Sequence, residues 1–298
     1  MKPNELQFSE KNRKEAMQGK RLFLLDMDGT LYLDDQVFEG TLPFLEQVKA
    51  RGGRYLFLTN NSSRGVSDYV AKLTRLGIPA SPEDFVTSAD AMIRFLERRY
   101  GVSKARQKRI YLLGTSSFCR QMEEAGFQIL HRKDGSSADR QDRTPENVDI
   151  LIAGFDRELT FQKLEDACRL LTGGCEYFAT NPDWVCPTAW GSVPDCGSIC
   201  QMLEHAAGRR PYFVGKPQPD MVDMALEKYG CRPEEAILIG DRLYTDIACG
   251  VNAGIDTIFV LSGEGTMEDL CRSEVKPTYI LNDIGEAFGK GTGNAHEA

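Results

Sequence analysis

Short continuous apolar runs recur along the chain, and most end in a carboxylate, a hydroxyl or glycine. Leu22 to Leu25 runs into Asp26-Met27-Asp28-Gly29-Thr30, and Tyr55 to Leu58 runs into Thr59-Asn60-Asn61-Ser62-Ser63. Runs without polar alternation predict strands buried on both faces, as in a parallel sheet covered by helices. Between these two, Thr41 reads as a helix cap with Pro43 in the first turn. Phe44, Leu45 and Val48 supply the apolar face of that helix, and Gly52-Gly53 ends it. Strand, helix, strand with short links is a βαβ unit, so the two strands are parallel. Residues 31–40, polar and acidic in the middle, read as a loop or short hairpin.

The pattern continues with helices over Asp68 to Leu76, begun near Ser63 or Ser67, and Ser88 to Tyr100, with a capped turn over Pro79 to Asp84 between them. A second set follows: strand Ile110 to Leu113, helix Ser116 to Ala125, strand Val148 to Ala153, helix Leu159 to Leu171 and strand Glu176 to Ala179. Lys133 to Glu146 is polar with no apolar period and reads as an exposed loop. Tyr212-Phe213-Val214 then leads into Gly215-Lys216-Pro217 and a helix ending at Gly230. Ala236 to Ile239 predicts a strand that ends in Gly240-Asp241, and Asp246 heads a helix closed by Gly254. Strands over Thr257 to Leu261 and Thr278 to Leu281 complete the chain. This organisation predicts an N-terminal extension over 1–20, a core domain from 21–86 and 212–298, and an inserted domain over 87–211.

With 298 residues, 41% hydrophobic and 27% charged, the composition is that of an ordinary globular protein with one large or two medium domains. A net charge of -8 argues against a nucleic-acid or anionic-membrane partner. No apolar run approaches the ~20 residues that span a bilayer. Met1 to Lys20 mixes Lys and Glu without an apolar core, unlike a signal peptide. The cysteines number nine, an odd count that favours reduced thiols in a cytosol over a disulfide framework. Cys175, Cys186, Cys196, Cys200 and His205 crowd together, but they contain no Cys-x-x-Cys pair, which argues against structural zinc.

The chemistry-bearing residues sit where the apolar runs stop. Strand alternation sends Asp26 and Asp28 the same way, and two like charges that close need a counter-ion. A hard divalent cation such as Mg²⁺ prefers carboxylate oxygens. An ordinary strand-ending turn is the competing reading; a calcium loop needs a further acidic or amide residue two positions on, where Thr30 stands, followed by Leu31 and Tyr32. Thr59 and Asn60 offer neutral donors suited to an anionic oxygen, or a plain N-cap cluster. Lys216 has apolar, Gly and Pro neighbours, although most lysines are solvated surface residues. A parallel sheet would gather Asp26, Asp28, Thr59, Lys216 and Asp241 at one edge, where open α/β sheets bind ligands.

Taken together these motifs resemble the haloacid dehalogenase superfamily: Asp26-x-Asp28-Gly29-Thr30, Thr59, Lys216, then Gly240-Asp241 and, after four intervening residues, Asp246. Ala179-Thr180-Asn181-Pro182-Asp183, Gly197-Ser198-Ile199 and Val214-Gly215-Lys216-Pro217 are similar to the NagD-like and 4-nitrophenylphosphatase branch. Asp195 departs from the Gly usual there, which bears on substrate preference. The resemblance implies a Rossmann-like parallel-sheet α/β core with an inserted α/β cap domain of the C2 type. It implies Asp26 as nucleophile and Asp28 as the acid and base. It further implies Mg²⁺ held by Asp26, the main-chain carbonyl of Asp28, and Asp241, with Asp246 orienting Lys216 or a metal-bound water. Lys216 and Thr59 would neutralise the transferring group, Asn60 and Asn61 would add backbone donors, and Asn181, Asp183 and Asp195 would lie on the cap side of the substrate. The implied function is a cytoplasmic, Mg²⁺-dependent phosphatase acting on a small phosphorylated metabolite through an aspartyl-phosphate. A phosphotransferase or phosphomutase would use the same core. A binding protein without catalysis is disfavoured by the intact ionisable set. No nucleic-acid or membrane partner is implied, and the branch allows a homodimer through the cap.

Overall fold

A computed structural model describes residues 17–130, 146–188 and 190–288. The loop read over 133–146 and the extension over 1–20 therefore lie almost wholly outside the described residues. Strands follow in chain order as β1 (Leu22–Leu25), β2 (Tyr32–Leu33), β3 (Gln36–Val37), β4 (Arg54–Thr59), β5 (Phe85–Thr87), β6 (Arg109–Leu113), β7 (Gln128–Leu130) and β8 (Ile150–Ala153). They continue as β9 (Glu176–Ala179), β10 (Val185–Thr188), β11 (Gly191–Pro194), β12 (Tyr212–Phe213), β13 (Ala236–Gly240), β14 (Asp256–Val260) and β15 (Tyr279–Leu281). The described residues fall into two compact units. The first is drawn from Met1–Leu58, Leu73–Asp84 and Val222–Ala298, the second from Thr59–Lys72 and Phe85–Met221.

In the first unit the strands run in the order β15-β14-β13-β1-β4, and every pairing is parallel. β1 and β13 are buried along their whole length, as their unbroken apolar runs require. From β1 the chain moves one way to β4, and it later returns on the other side of β1 as β13. That reversal of direction opens a crevice at the carboxyl ends of β1 and β13. Register places Leu25 beside Ile239, so the residues that follow each strand, Asp26 and Asp241, emerge at the same edge.

The second unit is also a parallel α/β layer, with strand order β12-β9-β8-β6-β7 and a small antiparallel hairpin of β10 and β11. Its core packs Tyr111, Leu113, Leu151 and Ala153 against Ala167 and Leu171 of helix Phe161–Thr172 and Ile199 and Leu203 of helix Cys196–Ala207. Residues 59–72 and 212–221 group with this unit, because β12 pairs with β9 and the turn after β4 hydrogen-bonds within it. The sequence reading drew its boundaries at 86/87 and 211/212. The fold class is thus the parallel-sheet α/β core with an inserted α/β region that the apolar pattern predicts.

Local details differ instructively. Helix Ser88–Tyr100 forms as read, opened by a Thr87–Asp90 capping box. Thr41 is not a cap: the helix Thr41–Ala50 has Gly40 at that position, and the Thr41 hydroxyl donates to the Leu31 carbonyl at 2.7 Å. The residue is fully buried, so its hydroxyl is satisfied by the adjacent loop instead of by its own helix end. Residues 31–40 contain the β2–β3 hairpin. Helix Cys196–Ala207 was not foreseen, its start being obscured by Cys, Gly and Ser.

Candidate active site

At the carboxyl edge of the first unit, Asp26, Asp241 and Asp246 each offer a carboxylate oxygen, all within 4.8 Å of one another. β1 delivers Asp26, whose backbone N–H still continues the ladder to the Ile239 carbonyl at 2.9 Å. β13 delivers Asp241. Asp246 comes from a wide π-helical turn over Leu243–Ile247, in which the Asp246 and Ile247 amides both donate to the Arg242 carbonyl. Such single-turn π segments recur at functional sites because they redirect a side chain without ending the helix. The sequence reading began a regular helix at Asp246; the α-helical stretch starts only at Ala248.

Three carboxylates this close repel strongly in a poorly solvated setting. Burial, with the Asp246 charge next in importance, pushes the Asp241 carboxyl up to about 7. Asp241 Oδ2 accepts from the Glu264 backbone N–H at 2.7 Å. Asp241 Oδ1 is buried with no hydrogen-bond partner among the described residues. A buried carboxylate oxygen without a partner is costly unless a ligand meets it. The cradle is also shaped by absent side chains. A Cβ on Gly29 would lie 2.5 Å from Asp241 Oδ2, one on Gly263 2.0 Å from the same atom, and one on Gly240 2.4 Å from the Asp246 Cβ. An all-oxygen donor set with an unpartnered buried oxygen fits Mg²⁺.

Asp28 lies two residues beyond Asp26, half-buried, in an isolated bridge with Tyr32. The tight turn at Gly29, whose φ of +87° favours glycine, carries the chain between them. The turn is held from a distance: Ser262 Oγ donates to the Gly29 carbonyl at 2.8 Å. Residues 262–265 are the part of this edge that the sequence reading missed. Besides the Glu264 contact, Gly265 N–H donates to the Asp241 carbonyl at 3.1 Å. The Arg242 guanidinium lies 2.8 Å from the Glu264 carboxylate. The signal was present as Ser262-Gly263-Glu264-Gly265 directly after an apolar strand, the same glycine-rich strand ending seen at Gly29 and Gly240.

The remaining predicted residues belong to the second unit, where they form one buried polar cluster. Thr59 ends β4, and its hydroxyl oxygen accepts from the Asn61 N–H at 3.2 Å. The Asn61 side chain accepts from the N–H and hydroxyl of Ser63 at 2.9 and 2.7 Å, and the Asn61 carbonyl accepts from the Tyr69 hydroxyl. Asn60 Oδ1 accepts from the Lys216 N–H at 2.9 Å, while Asn60 Nδ2 donates to the Lys216 carbonyl at 3.1 Å and to Asp183 Oδ2 at 2.8 Å. Asn181 Nδ2 donates to Asp183 Oδ2 at 2.8 Å and to Asp195 Oδ1 at 3.2 Å. Asp195 is the N-cap of helix Cys196–Ala207. Lys216, Asp183 and Asn181 are all at most 2% exposed.

Residues 23–128 match the family model for haloacid dehalogenase-like hydrolases, and residues 213–287 match a second, HAD-hydrolase-like model. An acid sugar phosphatase from Staphylococcus aureus is 33% identical over 275 residues, 92% of this chain and 99% of that protein. A 4-nitrophenylphosphatase from Thermotoga maritima has a solved structure 43% identical, with a TM-score of 0.79 over 91% of this chain and 97% of its own. A glycerol phosphate phosphatase from Mycobacterium tuberculosis, solved in complex with magnesium, is 29% identical with a TM-score of 0.81 over 92% of this chain and 78% of its own. With the carboxylate edge on β1 and β13 and these matches across its length, the chain belongs to the haloacid dehalogenase-like hydrolases, as a phosphatase-type enzyme of the NagD and 4-nitrophenylphosphatase branch.

Proposed function

We propose that this chain is a Mg²⁺-dependent phosphatase that hydrolyses a small phosphorylated metabolite through an aspartyl-phosphate on Asp26. The observation that carries this reading is the Asp26, Asp241 and Asp246 cluster with its unpartnered Asp241 Oδ1. Asp26, Asp241 and the main-chain carbonyl of Asp28 would hold the ion, with the Asp246 carboxylate beside them. When bound, Mg²⁺ supplies positive charge that lets an anionic nucleophile approach an anionic ester.

The protein's own residues divide the remaining work. The Asp26 carboxylate attacks phosphorus as the ester bond breaks, and Asp28 gives its proton to the leaving oxygen. Asp28, now ionised, takes a proton from water, whose oxygen attacks the phosphoryl group and frees Asp26 and inorganic phosphate. Lys216 and Thr59 neutralise and donate to the phosphoryl oxygens, which gain charge in the transition state. The second unit acts as a cap that selects substrate and excludes water. The names of the relatives place sugar phosphates, glycerol phosphate and aryl phosphates among the esters to try first.

Asp26→Asn is expected to abolish phosphate release from p-nitrophenyl phosphate while the circular dichroism spectrum stays that of the wild type. Asp28→Asn is expected to accumulate an acid-stable, hydroxylamine-sensitive phosphoenzyme. Near-wild-type turnover by Asp26→Asn would refute the nucleophile assignment. Counting free phosphate against phosphorylated acceptor separates hydrolysis from phosphoryl transfer to a second hydroxyl.

A further inference from the structure

The Asn60 side chain has three hydrogen-bonding opportunities that matter, two N–H donors and a carbonyl acceptor. All three are occupied inside the protein. The amide grips both backbone groups of Lys216, accepting from its N–H at 2.9 Å and donating to its carbonyl at 3.1 Å. Its second N–H goes to Asp183 Oδ2 at 2.8 Å. The Asn60 carbonyl in turn accepts from the Ser88 hydroxyl at 2.7 Å. No donor of this side chain is left for an anion.

The same is true one step out. Asn181 gives its two N–H donors to Asp183 and Asp195, and its oxygen accepts from the Thr180 hydroxyl at 2.7 Å. The backbone carbonyl of Asp183 accepts from the Gly197 N–H at 2.8 Å, which fixes Asp183 to the start of helix Cys196–Ala207. The neighbour of Lys216 is equally constrained. A Cβ on Gly215 would lie 2.4 Å from the Thr180 carbonyl oxygen and 2.7 Å from Asn60 Oδ1. The Gly215 N–H donates to that Thr180 carbonyl at 2.8 Å. Lys216 is therefore held by its backbone, from two directions, in a dry setting.

We infer that Asn60, oriented by Asp183 and Asn181, is a positioning residue that sets the backbone of Lys216, and that none of these three side chains is a substrate ligand. This rests on the role given to Lys216 in the proposed function. A bidentate amide clamp on one residue's N–H and C=O fixes where its side chain starts, as a strand partner would. Asp183 Oδ2 accepts from the Asn60 Nδ2, which keeps the Asn60 amide in the one orientation that presents oxygen to the Lys216 N–H. A bare structural network would stabilise the unit without being coupled to the lysine ammonium.

The test uses the full-length protein with four variants: Lys216→Ala, Asn60→Ala, the double variant, and Asn60→Asp. Readouts are kcat and KM on p-nitrophenyl phosphate, the inhibition constant of inorganic phosphate, and Tm. Asn60→Ala is expected to lower kcat/KM by about 10–100-fold and weaken phosphate inhibition, the size seen when the support of a working group is removed. In the Lys216→Ala background the same change is expected to cost almost nothing further in either quantity, because the two act as one unit. Asn60→Asp places a carboxylate against Asp183 and is expected to be worse than Asn60→Ala. If Lys216→Ala has wild-type kinetics, the proposed role of the lysine falls. If Lys216→Ala is impaired but Asn60→Ala is not, or if their losses simply multiply, the positioning role is overturned. Should Asn60→Ala fail to fold, Asn60→Asp still decides: wild-type kinetics in that variant, which has lost the donor to the Lys216 carbonyl, overturn the inference.

Discussion

The two polar clusters of this enzyme are built on opposite plans. Around Asn60, Asn181 and Asp183 the amide donors are all matched, and the Asp183 carboxylate accepts from two of them. At the carboxyl edge of β1 and β13, three carboxylates crowd together and one buried oxygen of Asp241 has no partner. A satisfied network is stable by itself and holds its members in place. An unsatisfied one is a cost to the fold until something binds. On this contrast rests the proposed division between a frame that positions and a pocket that receives.

The sharpest way to break this comparison is to satisfy the receiving site artificially. Asp241→Asn removes one negative charge and gives the buried position donors of its own. It is expected to cost about 10²–10³-fold in kcat, the scale of losing a main electrostatic stabiliser. It should also raise the Tm of the metal-free protein, since like-charge repulsion and charge burial are relieved together. Isothermal titration with MgCl₂ and a melting curve in EDTA check both; an Asn variant that binds Mg²⁺ as well as wild type would remove Asp241 from the metal site.

A pH titration sharpens the same point with a smaller effect. Burial, then the Asp246 charge, hold Asp241 at about 7 against 3.8 for an ordinary Asp. The folded state therefore keeps a proton that the unfolded chain has released. The stability this group contributes is fully present below the unfolded value and is lost as pH rises to about 7. The metal-free protein is expected to melt lower at pH 8 than at pH 5.5, and Mg²⁺ affinity is expected to weaken as pH falls below 7 because protons compete for the ligand. Asp241→Asn should flatten both dependences. Equal slopes in wild type and variant would show that another group titrates.

How far the sequence revealed each cluster follows from the physics of each. The receiving site was legible because it is written at strand ends. Unbroken apolar runs predict buried parallel strands, their carboxyl ends share an edge, and Asp26 and Asp241 follow directly. The loop carrying Gly263 and Glu264 was passed over although it obeys the same rule after β14. The frame was only half legible. Asn60, Asn181, Asp183 and Lys216 were all singled out, but their hydrogen bonds to one another were not, since periodicity shows which residues are polar and not which atoms they satisfy. The wide turn at Leu243–Ile247 was invisible for a similar reason: one extra residue in a helical turn leaves no compositional trace.

A third way to probe the receiving site is steric. Gly29→Ala would place a methyl 2.5 Å from Asp241 Oδ2 and hold a non-glycine residue at a φ of +87°. Strain of this kind costs about 1–3 kcal/mol, and displacement of Asp241 should weaken Mg²⁺ binding further. Gly52→Ala is the matching control, because its φ is +74° but no atom lies within 4 Å of the added methyl. If both variants lose Mg²⁺ affinity equally, the effect is backbone strain alone and the glycine cradle has no role in the site.

The smallest effect is expected in the frame, at Asp195. Asp195 is buried and caps helix Cys196–Ala207, its carboxylate accepting from the Cys196 N–H at 2.5 Å and from Asn181 at 3.2 Å. Glycine is itself a tolerated cap, so Asp195→Gly loses only a few tenths of a kcal/mol at the helix end. It leaves one Asn181 N–H without its partner, which adds about 1 kcal/mol if no water replaces it. Asn181 remains fixed by Asp183 and Thr180, so Asn60 and Lys216 should not move. Asp195→Gly is therefore expected to lower Tm by a few degrees and to leave kcat/KM and the ranking of sugar, glycerol and aryl phosphates unchanged. A reordered ranking at unchanged Tm would mean that Asp195 reaches the substrate, and that the frame, like the carboxylate edge, is a surface that receives.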